Sequence, residues 1–94
     1  MIRREGRKIL VSGPVTLANA ARVLEEGRAH LAEGARTVDL GEVSDLDSSL
    51  LALALAWIRD ARAAKREIAF TNVPEALHTL SRLYGVEALL PTTS

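Results

Sequence analysis

No cysteine occurs anywhere in the 94 residues. Disulfides, zinc–thiolate sites and thiol chemistry are therefore excluded. Histidine is nearly as scarce. His30 and His78 lie far apart, outside any HExxH-like spacing, and both read as solvated helix residues. An excess of either charge is missing too, because 12 Lys and Arg balance 12 Asp and Glu. A dedicated nucleic-acid binder normally carries a basic stripe, so the balance argues against one. Zero net charge also gives little protection from self-association, which makes a stable protein partner useful. The main apolar run, Leu50 to Ile58, is far short of the roughly 20 residues of a membrane span. The opening MIRREGRKIL has no apolar run of signal-peptide length. A soluble cytoplasmic chain is the resulting expectation. Repeats, low-complexity segments and linkers are absent as well.

What remains is a globular composition, 48% hydrophobic and 26% charged. The length suits one domain over residues 1–94. IRREGRKILVSG reads as a β-hairpin turning at Gly6, with Ile9, Leu10 and Val11 buried and Gly13–Pro14 ending it. The next segment is helical, with Leu17, Ala20, Leu24 and Leu31 at helical spacing, Thr16 as N-cap and Gly34 as the closing glycine. Gly27 inside this helix costs about 1 kcal/mol relative to alanine, which packing must offset. Thr37–Leu40 is a short strand, and GEVSDLD a loop. A second helix runs from Ser48 to Lys65, and EIAFTNV is the next strand. A third helix opens at Pro74 and closes at Gly85, with Leu77, Leu80, Leu83 and Tyr84 as its apolar face. The tail packs Leu89 and Leu90, then frays. The order ββαβαβα predicts an α/β fold: a mixed, mostly parallel four-stranded sheet with one antiparallel hairpin strand and three to four helices.

The second helix carries the most informative stretch, SDLDSSLLALALAW. On a helical wheel Leu50, Leu51, Ala54, Trp57, Ile58 and Ala61 share the side that faces the sheet. The other side holds Ser48, Ser49, Ala52, Ala56, Arg59, Asp60 and Ala63, flanked by Leu53 and Leu55. Small side chains between apolar shoulders let another protein's backbone approach closely. Two readings stand open. Alanine is the best helix former and Asp-Ser-Ser is an ordinary cap, with Asp47 or Ser48 accepting a first-turn N–H. Alternatively, the face is a docking surface.

The stretch TVDLGEVSDLDSSLLAL resembles the central signature of STAS domains. IAFTNVPEALHTLSRLYGV resembles the last strand, the proline-started helix and the closing glycine of the same family. The resemblance covers about residues 7–88 and implies the fold read above. It also implies one of two roles. In anti-sigma-factor antagonists the position of Ser48 is phosphorylated by a partner kinase, which adds about two negative charges at the helix start. In the MlaB-type branch the domain is a small subunit of a phospholipid-trafficking ABC transporter, and the same position contacts the ATPase subunit. The chain's brevity and HTLSRLYGV favour the MlaB-type branch. So does Leu50, which stands where antagonists usually have glycine. The resemblance thus implies a non-catalytic subunit, peripheral at the inner membrane through its complex with an ATPase and a permease. Asp47, Ser48, Ser49, Ala52, Ala56 and Arg59 form its partner-binding set. The alternative is an antagonist phosphorylated on Ser48, and a third class is a free-standing nucleotide- or lipid-binding domain.

Catalytic readings find little support. Asp45 and Asp47 lie in a predicted loop rather than at a buried strand end. Asp39 lacks the further acidic pair and lysine of a phosphoacceptor site. No Walker A pattern or supported Ser-His-Asp set occurs. No cofactor is expected.

Overall fold

The computed structural model describes residues 1–93. The elements are β1 (Ile2–Glu5), β2 (Lys8–Val15), α1 (Ala20–Ala32), β3 (Thr37–Leu46), α2 (Ser48–Ala63), β4 (Ala69–Thr71), α3 (Glu75–Leu83), a 3-10 turn (Glu87–Leu89) and β5 (Thr92–Thr93). The strands form one sheet in the order β1-β2-β3-β4-β5. β1 pairs antiparallel with β2, and the other pairings are parallel. This is the expected mixed α/β sheet, with a two-residue β5 added where the sequence suggested a fraying tail. Leu90 anchors that tail in the core, whereas Leu89 stays 43% exposed.

Alternation along the strands aims Ile9, Val11, Val38, Leu40 and Phe70 at one face. There they join Leu50, Ala54, Trp57 and Leu77 in a single core cluster. α2 crosses this layer and packs against both α1 and α3. The opposite face of the sheet carries charge. Arg3 there meets Glu5 at 3.4 Å and Glu42 at 3.3 Å.

Besides an α2 that ends at Ala63 instead of Lys65 and a β4 trimmed to Ala69–Thr71, four boundaries differ from the sequence reading, each for a local reason. β2 continues through Gly13 and Pro14 to Val15, because register slips on either side of Gly13 accommodate the proline. β3 runs on to Leu46 through the segment read as a loop, since Ser12–Val15 of β2 supplies its partners. Gly41, Ser44 and Asp45 hide a strand that pairing alone creates. α1 begins at Ala20, not after Thr16. Asn19 instead builds a turn, accepting the Thr16 N–H at 3.0 Å and donating to the Pro14 carbonyl at 2.8 Å. Pro74 is the N-cap of α3 rather than its first residue.

The helix ends share one device. In α1, α2 and α3 the second residue beyond the cap donates to the carbonyl three from the helix end: Ala35 to His30, Arg66 to Ala61 and Val86 to Ser81. Gly34 and Gly85 supply the left-handed residue in two cases, and Lys65, with φ 57°, does so in the third. α3 buries Leu77 fully but leaves Leu83 and Tyr84 exposed, so its apolar face is shorter than expected. His30 is only half exposed, and its Nδ1 is enclosed without a partner among the described residues.

Candidate functional site: the start of helix α2

Asp47 organises the start of α2. Its backbone is extended, as an N-cap requires, and its Oδ1 accepts the Ser49 N–H at 2.8 Å. Oδ2 accepts the Leu17 N–H at 3.0 Å. One carboxylate thus caps α2 and ties down the β2–α1 turn. These N–H groups, Leu17 first and Ser49 second, hold the Asp47 carboxyl below the ordinary aspartate value of 3.8. Asp45 is spent locally, accepting the Leu46 N–H at 2.9 Å.

Ser48 stands exposed at the first helical position, and its hydroxyl makes no hydrogen bond within the protein among the described residues. Ser49 is half-buried. Ala52, Arg59, Arg62 and Ala63 continue the exposed face, which spans roughly 100° of the helix. Ala56 does not belong to it. At 7% exposure it is covered, as is Leu53 at 3%. Both lie on the flank that α1 covers, where Asp60 binds Arg28 at 2.7 Å. The wheel gave Ala56 to solvent because it knew only the sheet and not the second helix layer. The contact role expected for Ala56 is therefore withdrawn, and the small-residue face narrows to Ser48, Ala52 and Ala63, with Arg59, Arg62 and the half-buried Leu55 among them.

The structure adds Leu17 to this surface. It was read as a buried helix residue, yet it is 82% exposed and is fixed to Asp47 through its own N–H. Only the early break before α1 could have revealed it in the sequence, through the Asn19 turn.

Asp39 serves a different purpose. It accepts the Gly41 N–H at 2.8 Å, and Asn72 donates to both its oxygens at 3.2 and 3.1 Å. Asn72 sits at φ 51°, so the pair pins the chain as it leaves β4. Among the described residues no group of three His, Cys, Asp or Glu is placed to hold a metal ion. No helix among the described residues is long and apolar enough to cross a membrane.

Similar folds occur in solved structures of low sequence identity. The anti-sigma factor antagonist SpoIIAA in its unphosphorylated form superposes with a TM-score of 0.72 at 16% identity, covering 100% of this chain and 87% of that one. The phosphorylated form of SpoIIAA, a Bacillus cell fate determinant, gives 0.68 at 16%, covering 100% and 90%. A Thermotoga maritima protein provisionally assigned as an anti-sigma factor antagonist gives 0.77 at 12%, covering 100% and 85%. These likenesses carry the fold alone. No curated protein sequence matches the chain. The family model described as "Mlab, STAS domain" matches residues 2–91, so the chain belongs to the STAS domain family of the Mlab type.

Proposed function

We propose that this protein works by binding, without catalysis of its own. Its partner is the ATPase subunit of a bacterial phospholipid-transport ABC complex, which it stabilises or regulates from the cytoplasmic side of the inner membrane. The observation that carries the reading is the family match over residues 2–91, joined to an exposed small-residue face at the start of α2. Ser48, Ala52 and Arg59 make the contact, with Ser49 at its edge and Leu17 as an apolar anchor beside it. Asp47 positions all of them. Small side chains let a partner helix come close, and Leu17 gives it an exposed apolar side chain to cover. Purifying the tagged protein from its host should recover an ABC ATPase together with a membrane permease. Recovery of only a sigma-factor regulator or its kinase would refute this assignment.

A second reading has one specific observation behind it. Ser48 is exposed and free at a helix N-terminus, where phosphate is well accommodated. The protein would then be an anti-sigma-factor antagonist switched by phosphorylation of Ser48. Leu50 at the position usually glycine in antagonists speaks against it. Intact-mass analysis of the native protein is expected to show no phosphate, and a large singly phosphorylated fraction modified on Ser48 would favour the antagonist.

A further inference from the structure

The far end of α2 carries a second feature that the docking face does not use. The helix has 16 residues, so its C-terminal turn lies about 24 Å from Ser48. An open cleft of about 1100 Å³ lies there, with Ile58, Ile68 and Leu89 in its walls. Arg36, Arg62, Lys65 and Arg66 line it against a single acid, Glu67. None of these four cations has a carboxylate within ion-pair distance among the described residues, a state they share with Arg4, Arg7, Lys8 and Arg59, but these four converge on one cleft. Two of the four are held in place. Arg66 Nη1 donates to the Leu31 and Ala32 carbonyls at 3.1 and 3.2 Å, and Arg36 Nη1 to the Ala35 carbonyl at 2.8 Å.

A smaller cleft of about 410 Å³ adjoins the first. The two share Arg36, Ala61, Arg66 and Ile68 as a common wall. Leu31, Ala32, Trp57 and Ala64 make the rest of the smaller cleft largely apolar. Its one acid, Asp60, is already paired with Arg28. The negative end of the helix dipole accounts for cations near the α2 terminus. It does not account for an apolar recess opening beside unpaired guanidinium groups. A small inorganic anion would leave that recess empty, and a purely apolar ligand would leave the cations unmatched.

We propose that these adjoining clefts bind one phosphate-headed, single-chain amphiphile. Its head lies on Arg36, Arg62, Lys65 and Arg66, and its tail lies in the smaller cleft over Leu31, Ala32 and Ala64, with the buried Trp57 in the floor. The site lies at the opposite end of α2 from Ser48, meets the exposed face at Arg62, and stands whether or not the ATPase partner is correct. The test titrates the full chain with lysophosphatidylglycerol and with lysophosphatidylcholine of the same chain length, both below their micellar concentrations. Glycerol 3-phosphate tests the head alone. Calorimetry reads affinity, and Trp57, the only tryptophan, reports on the smaller cleft by its emission. The anionic lipid should bind one per chain, shift that emission, and bind at least about tenfold more tightly than the zwitterionic one. Arg62→Glu combined with Lys65→Glu should weaken it by about tenfold or more. Ala64→Phe, which fills the smaller cleft from a different position, should do the same while circular dichroism stays native. Equal affinity for the two lipids would overturn the proposal, as would unchanged affinity in both variants. Glycerol 3-phosphate binding as tightly as the lipid would reduce the site to a free-phosphate site and overturn the tail assignment.

Discussion

Gly27 costs α1 helical propensity, and Trp57 is the reason it is there. The indole lies against the glycine and donates its Nε1 hydrogen to the Leu24 carbonyl at 3.0 Å. A Cβ at position 27 would overlap the Trp57 ring, which is fully buried and has no room to retreat. Gly27→Ala should therefore destabilise the fold by about 1–3 kcal/mol, even though alanine is the better helix former. Urea unfolding measures this, and a more stable variant would contradict the packing. Lys65 presents the opposite case, a side chain where glycine fits best. Its left-handed backbone ends α2, so Lys65→Gly should raise stability by up to about 1 kcal/mol. The same titration decides that sign. Asp47 adds a pH dependence. Its folded carboxyl lies below 3.8, so its contribution is present in full above that value and is lost as pH falls through the folded value. Wild type should exceed Asp47→Asn in thermal midpoint near neutrality, and the gap should close below pH 3.8. A gap that persists at the acid extreme would show that the carboxylate charge is not what matters.

Helix α2 shows how far a sequence wheel carries. Leu50, Leu51, Ala54, Trp57, Ile58 and Ala61 are all buried, as the sheet-facing side requires. Ala56 and Leu53 are buried for a reason the wheel could not contain, because α1 and α3 flank the helix as well as the sheet beneath it. Two substitutions separate the faces. Trp57→Ala should cost about 3–5 kcal/mol, since it empties the centre of the core and breaks the bond to α1. Ala52→Arg should cost only a few tenths, because both residues favour helix and the new side chain reaches water. Thermal unfolding by circular dichroism checks both. A large loss for Ala52→Arg would mean that this face is structural. Strand β3 teaches the converse. Thr37–Leu40 was legible from its own residues, while Gly41–Leu46 is strand only because the bulged end of β2 pairs with it. The start of α1 was misread for a similar reason. Asn19 competes with the helix by bonding its own loop, and that competition released Leu17 to the surface.

Across the whole molecule, the strand directions followed from the alternation of strand and helix patterns, whereas the order β1-β2-β3-β4-β5 came from the structure. Parallel neighbours need crossovers, and the chain supplies a helix for each of the three. The site was legible to the extent that local chemistry wrote it. Asp47 and Ser48 stand in a capping pattern, and the cap forms. Leu17 was not legible, because it reaches the site through a turn 30 residues away in sequence. Two distinct surfaces thus occupy the two ends of α2, one of small residues and one of cations. The central claim is that the first of them docks the ATPase subunit. It is tested most directly by the affinity of Ala52→Arg for that purified subunit, set beside wild type and read by titration calorimetry. At a close-packed contact the arginine must bury an unpaired charge or hold the surfaces apart, so binding should weaken by a hundredfold or more, or about 3 kcal/mol. A variant that melts like wild type and binds as tightly would show that the serines only cap a helix and that the partner docks elsewhere.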